Sequence, residues 1–362
     1  MHDKRSARVL IMAGGTGGHV FPGLAVAHCL QEAHVDVAWL GTQRGIEAEL
    51  VPAKHIPLNT LEVEGVRGRG PKALMRAPLL LWRSISQALR VMRQFQPDVV
   101  LGMGGFASAP GGVAARLKGI PIIVHEQNAI AGTTNRIVSR FATRVLSGFP
   151  DALPRAQWCG NPLRPEILAL QEPQQRLKDR RGQARLLVLG GSRGAKAVNQ
   201  LIPAAVALID PSLRPNILHQ AGGSHAAMTK AVYATLAVDA RVVPFIDDMA
   251  DAYAWADFVI CRAGALTVAE VAAAGVGALF IPFPYAIDDH QTANGQWLVD
   301  RGGALLRQQS TLTAQALSDV ILDIASHPEK RLRMAIAARD GAKNDAAMTV
   351  SNVCMEYLNV GS

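Results

Sequence analysis

Short apolar runs recur along this 362-residue chain. Each is closed by glycine or a polar turn and followed by apolar positions at helical spacing. Residues 9–12, 35–40, 98–103, 120–125 and 143–147 lack the in–out alternation of a half-exposed strand, so they are expected as parallel strands buried on both faces. A second series follows at 185–189, 216–220, 241–245, 258–261 and 278–282. Strands alternating with helices predict βαβ units and doubly wound sheets. The pattern breaks at Gly160-Asn161-Pro162-Leu163-Arg164-Pro165 and the polar stretch 171–183. The expected division is therefore an N-terminal Rossmann-like domain over 1–163, completed by a C-terminal helix at about 341–362, and a second over 164–340.

The two series open alike. Residues 8–18, RVLIMAGGTGG, resemble residues 185–195, RLLVLGGSRGA, once one position is gapped. Each is a strand, a glycine-rich turn and a helix. Such a turn lets backbone approach a ligand, and the helix start behind it presents N–H groups and a positive dipole end to an anion. Thr16 and Ser192 add hydroxyls. Two such units are expected to face each other across a cleft, with ligands at the carboxyl ends of the strands. The competing reading is that the glycines only allow tight strand–helix packing. A Walker loop would need Gly-Lys-Ser/Thr, which neither turn has. A dinucleotide site expects an acid closing the second strand, and here it closes Leu40-Gly41-Thr42.

Composition narrows the partners. Hydrophobic residues make up 49% of the chain and charged ones 18%, which fits packed domains rather than disorder. Lys and Arg outnumber Asp and Glu by 37 to 29, which favours anionic partners. Aromatics at 5% are too few for the stacking platforms of a nucleic-acid binder. Cys29, Cys159, Cys261 and Cys354 are widely spaced and without ligand-like pairing, which argues against disulfides and structural zinc and for a reducing cytoplasm. The polar start does not read as a signal peptide, and no long uncharged apolar run is present. Contact with a membrane is thus expected at its surface.

Further polar clusters fall at expected strand ends: residues 102–110 (GMGGFASAP), His125-Glu126-Gln127-Asn128, residues 261–270 (CRAGALTVAE), and Asp288-Asp289-His290-Gln291 with Asn294. Glu270 can serve the helix dipole or accept hydrogen bonds from two ribose hydroxyls. Together, the blocks GGTGGHVFPGLAVA, MGGFAS, HEQN, GNPLR, GGSRGA, FIDDMA, CRAGALTVAE and HQTAN run end to end in an order that resembles the MurG family, within glycosyltransferase family 28. Ala109 and Gly295 depart from the family pattern, and both changes are small.

The resemblance implies a GT-B fold and transfer of N-acetylglucosamine (GlcNAc) from UDP-GlcNAc to lipid I, the undecaprenyl-linked acceptor, with inversion. It implies that the C-terminal domain holds the donor. Ser192 would meet the diphosphate, with Arg164 at its flank and the Ile246 backbone at uracil. Ala265, Leu266, Thr267, Val268, Ala269 and Glu270 would line phosphate and ribose, and Gln291 and Asn294 would read the sugar. Thr16, Gly17, Gly18 and Asn128 would contact the donor from the other domain. No obligatory metal or cofactor is expected, because Asp247-Asp248 falls in the block expected at uracil. The implied partners are UDP-GlcNAc, lipid I, an anionic membrane surface and cell-wall synthesis proteins, with no nucleic acid. The implied place is the cytoplasmic face of a bacterial inner membrane, held peripherally.

For the acceptor proton, His19 is the leading candidate base, because imidazole titrates near working pH. It can equally hydrogen-bond a phosphate at the start of the helix. His125 and Glu126 are rivals. Between Arg67 and Arg93, Met75, Leu79, Trp82 and Ile85 (or Ser86) share a helical face flanked by Arg67, Arg69, Lys72, Arg76, Arg83 and Arg90. Buried, the stripe is core. Exposed, it is an interfacial anchor. A glycolipid synthase, a UDP-sugar epimerase and a non-catalytic membrane scaffold are the remaining alternatives.

Overall fold

The computed structural model describes residues 5–63, 71–191 and 195–358. The chain forms two compact units, Met1–Arg164 with Lys343–Ser362, and Pro165–Ala342. Among the described residues, the first unit carries β1 (Arg8–Ala13), β2 (Asp36–Thr42), β3 (Leu58–Leu61), β4 (Val99–Gly104), β5 (Ile122–Glu126), β6 (Arg144–Ser147) and β7 (Gln157–Trp158). They make one parallel sheet in the order β3-β2-β1-β4-β5-β6-β7. Its main helices are α1 (Gly17–Glu32), α2 (Glu47–Leu50), α3 (Pro71–Phe95), α4 (Ser108–Lys118) and α5 (Thr133–Val138).

Burial on both faces explains the unbroken apolar strands. Val9, Leu10, Ile11 and Met12 are all fully buried. Val9 and Ile11 join Trp39 and α1 in one layer, while Leu10 and Met12 join Leu40, Ala88 and Ala114 in the other. Gly23 lets α1 close on the sheet, since a Cβ there would lie 2.6 Å from the Trp39 ring. The last helix of the chain (Ala346–Met355) returns to this unit and inserts Val350, Val353 and Cys354 into the same layer.

The second unit carries β8 (Arg185–Leu189), β9 (Asn216–Gln220), β10 (Arg241–Val243), β11 (Phe258–Cys261), β12 (Gly277–Phe280) and β13 (Ala304–Leu306). Their order, β10-β9-β8-β11-β12-β13, repeats the first unit's arrangement, and every pairing is parallel. This is the doubly wound order with its switch point beside the first strand of each unit. Both glycine-rich turns leave those first strands. Three strands escape the sequence pattern: β3, with two polar residues in four, the two-residue β7, and the three-residue β13.

Candidate functional site

In the first unit, β1 gives way to Gly14 and Gly15 (φ +92°), Thr16 is the N-cap, and α1 starts at Gly17. Thr16 makes no cap hydrogen bond. Its Oγ1 lies 3.4 Å from Nδ1 of His19 instead. The His19 ring rests on Gly104, where a Cβ would come within 2.9 Å of it; at φ +102° only glycine is at ease there. The turn after β4 presses on the turn after β1, for a Cβ at Gly105 would lie 2.2 Å from the Gly14 carbonyl oxygen. Ser108 Oγ, 2.7 Å from both the Met12 and Gly104 carbonyls, ties the two together. Burial lowers the His19 pKa from its ordinary 6.5. The Glu126 carboxylate, a hydrogen bond to the Gly14 backbone and the Glu47 carboxylate pull weakly the other way. The imidazole is therefore neutral at neutral pH and able to accept a proton.

The two rivals for that role are engaged elsewhere. Glu126 is buried at the end of β5. Its Oε1 accepts from the backbone N–H and the side-chain amide of Asn128, and its Oε2 from Gly132 N–H and Asn135 Nδ2. With four donors on two oxygens, the carboxylate fastens its loop and orients Asn128. His125 is buried with Nε2 2.9 Å from the Gly160 carbonyl and Nδ1 3.1 Å from Gln127 Nε2. Burial pushes its pKa down to about 4. Its place is in the core of the loop.

In the second unit, β8 leads into Gly190 and Gly191 (φ +75°) and then to α6 (Lys196–Ala207). Ser192 lies outside the described residues. Behind this turn is a closed network: Asn199 Nδ2 donates to the Ala221 carbonyl, Asn199 Oδ1 faces His219 Nε2 at 3.0 Å, and His219 Nδ1 faces the Tyr233 hydroxyl at 3.0 Å. All three side chains are buried, and the His219 pKa is pushed down to about 4. A Cβ at Gly190 would lie 3.1 Å from Asn199 Oδ1, so the network sets the floor of the turn. Beside it, Gln220 Oε1 accepts from the Ile246 N–H at 3.3 Å.

The turn after β11 caps α7 (Ala265–Ala274) with Gly264. Ala265 and Val268 face the core, while Leu266, Thr267, Ala269 and Glu270 are half-buried. Glu270 sits past the first turn and accepts from the Tyr253 hydroxyl at 3.1 Å, which weakens its reading as a dipole partner. Arg262 fixes the start of this turn by donating to the Ile281 and Pro282 carbonyls and to Gln309 Oε1. From α8 (His290–Val299), Gln291 Oε1 accepts from the Phe283 N–H. Asn294, expected at the sugar, is fully buried, and its Nδ2 donates to the Ala263 carbonyl and braces the turn.

Comparison with known proteins settles the kinship. Residues 9–147 match the glycosyltransferase family 28 N-terminal domain, and residues 185–350 match the family's C-terminal domain. The chain belongs to glycosyltransferase family 28. This family 28 chain is 52% identical over 349 residues to the UDP-N-acetylglucosamine–N-acetylmuramyl-(pentapeptide) pyrophosphoryl-undecaprenol N-acetylglucosamine transferase of Acidithiobacillus ferrooxidans, covering 96% of this chain and 97% of that one. It is 51% identical over 357 residues to the enzyme of the same name from Stutzerimonas stutzeri, covering 98% and 99%. The crystal structure of MurG from Acinetobacter baumannii superposes with a TM-score of 0.84 at 41% identity, covering 97% and 99%. The fold class is accordingly GT-B, two α/β units each with a parallel sheet.

Within this family 28 chain the structure gathers Thr16, Gly17, Gly18 and His19 at one turn, with Asn128 ordered by Glu126 in the same unit. In the other unit it gathers Gln291 and residues 265–270 around the Arg262 turn. Arg164 packs its guanidinium 5.8 Å from the Phe21 ring. The sequence reading missed Glu47, Asn135, Asn199, Gln220 and Arg262, all of which act on neighbouring turns. Glu47 had one signal: it follows Gly41 and Gly45 within a short polar stretch. Arg67 and Arg69 lie outside the described residues, as do the side chains of Lys72, Met75 and Arg76.

Proposed function

We propose that the chain transfers GlcNAc from UDP-GlcNAc to the 4-hydroxyl of lipid I, giving lipid II and UDP in peptidoglycan synthesis. The observation that carries this is the end-to-end identity, at about half of all positions, with enzymes named for that reaction. In our reading the second unit holds the donor. The turn after β8 and the start of α7 stabilise charge on the departing UDP, the kind of preorganised term that is usually largest in catalysis. We assign no obligatory metal to that step. Uracil meets the Ile246 backbone once Gln220 releases its N–H, and Glu270 takes the ribose hydroxyls. Gln291 addresses the sugar, and Arg164 flanks the diphosphate.

The first unit supplies the acceptor side. His19, kept neutral by burial, takes the proton as the 4-hydroxyl oxygen bonds to the anomeric carbon and the bond to UDP breaks. One displacement inverts that carbon. Thr16, Gly17, Gly18 and Asn128 complete the surround, and Glu126 is a positioning residue for Asn128 rather than a base. Among the described residues no helix is long and apolar enough to cross a membrane. Leu79 and Trp82 on α3 are 52% and 65% exposed, with Arg83 beside them. We assign this face to the anionic cytoplasmic surface of the inner membrane, where lipid I and other cell-wall synthesis proteins would be met.

The test is acceptor-dependent transfer. Purified full-length protein is given radiolabelled UDP-GlcNAc and a lipid I analogue, and label in the lipid fraction is counted against UDP released. Equimolar appearance of both is expected. Label that moves only to a different lipid acceptor would support a glycolipid synthase instead.

A further inference from the structure

Glu47 opens α2, yet none of its residue surface reaches solvent. Its Oε2 accepts the Gly15 N–H at 2.9 Å, and its Oε1 accepts the Thr42 N–H at 2.9 Å and the Thr42 hydroxyl at 2.7 Å. The Thr42 bonds are local. The Gly15 bond reaches 32 residues back to the turn that launches α1. The carboxylate also dictates which residues fit around it. A Cβ at Gly14 would lie 2.5 Å from Oε1, one at Gly45 1.9 Å from Oε2, and one at Gly41 2.8 Å from the Glu47 Cγ. Three glycines are thus cut to the outline of one acid.

We infer that Glu47 is a positioning residue for the transfer: its carboxylate fixes the turn from which Thr16 and His19 project. This rests on the assignment of His19 as base and deepens it. The Gly15 amide is committed to an internal carboxylate, so an anion at this turn cannot use it, and the first turn is a poorer phosphate cradle than its glycines suggest. A turn backed by Glu47, with Glu126 also acting on His19, suits a hydroxyl that must lose a proton. A purely structural Glu47 would hold the loop without acting on that proton. The charged groups acting on the His19 ring are Glu126 and Glu47, the larger effect being that of Glu126.

Two substitutions separate charge from shape. Glu47→Gln removes the charge and turns an amide N–H toward one of the backbone donors. Glu47→Asp keeps the charge but draws it back by one methylene. Both should lower kcat by about 10- to 100-fold, since small misplacements of a reacting group have that effect, and leave KM for UDP-GlcNAc within about twofold. Only Glu47→Gln should also move the acidic limb of kcat/KM to lower pH, because a negative neighbour favours the protonated imidazole and its loss does the reverse. A folded Glu47→Gln protein with wild-type kcat and an unmoved limb overturns the inference. If that variant does not fold, Gly45→Ala displaces the carboxylate from the outside, and wild-type kcat there overturns it equally. Wild-type protein with no acceptor-dependent UDP release would instead remove the proposed function itself.

Discussion

His19 is reached by two independent constraints, the N-terminal turn of α1 and the tight approach of Gly104, so its ring has little freedom. Replacing it with alanine is expected to cut kcat by about 10²- to 10⁴-fold, the usual worth of a general base, with UDP affinity by calorimetry unchanged. Near-normal turnover would remove His19 from the chemistry. Buried neutral histidines also set the acid behaviour. His125 and His219 have folded pKa values near 4 against an ordinary 6.5, so the unfolded chain binds more protons between those values. Stability is full above pH 6.5 and drains as pH falls toward 4, by roughly 3 kcal/mol per histidine at most. Thermal melts from pH 7 to pH 4.5 should show this fall, and His219→Gln should flatten part of it. At this scale the sequence disclosed the glycine-rich turns and the polar strand ends, because such turns are written as local strings. It hid the braces. Glu47, Asn199 and Gln220 look like ordinary polar surface until distant backbone donors and acceptors are brought against them.

The elements divide by how much of their pattern is local. Central strands were legible because both faces are buried and the run is continuously apolar. The edge strands β3, β7 and β13 were not, since shortness and half-burial leave no signature. Helix α3 shows a mixed outcome of another kind. Ser84, Ala88 and Met92 face the core, and Ile85 packs beside them, so the apolar stripe dives inward after Trp82. Its outer part keeps Leu79, Leu81 and Trp82 exposed. Trp82→Ala should weaken binding to anionic phosphatidylglycerol vesicles by about tenfold, equivalent to some 1.4 kcal/mol of lost apolar contact, and added salt should weaken the wild type further. Sedimentation with vesicles reads both effects, and binding indifferent to the substitution and to salt would return this face to a plain surface role.

Across the whole molecule, one plan is used twice. Two parallel sheets share a strand order, and in each the first strand opens into glycines beside the switch point, so repetition in the sequence foretold repetition in the fold. The +8 net charge suits an enzyme whose proposed donor, acceptor and surface are all anionic. In the proposed reaction these features meet in a single displacement at the anomeric carbon, with His19 assigned to the acceptor side and UDP assigned to the second unit. The stereochemistry of the product reads that event directly. Full-length protein, UDP-GlcNAc with its α-linked sugar and a lipid I analogue should yield a disaccharide whose anomeric proton shows the large coupling of a β linkage to the 4-position. An α-linked product, or free GlcNAc in place of a disaccharide, would contradict the account.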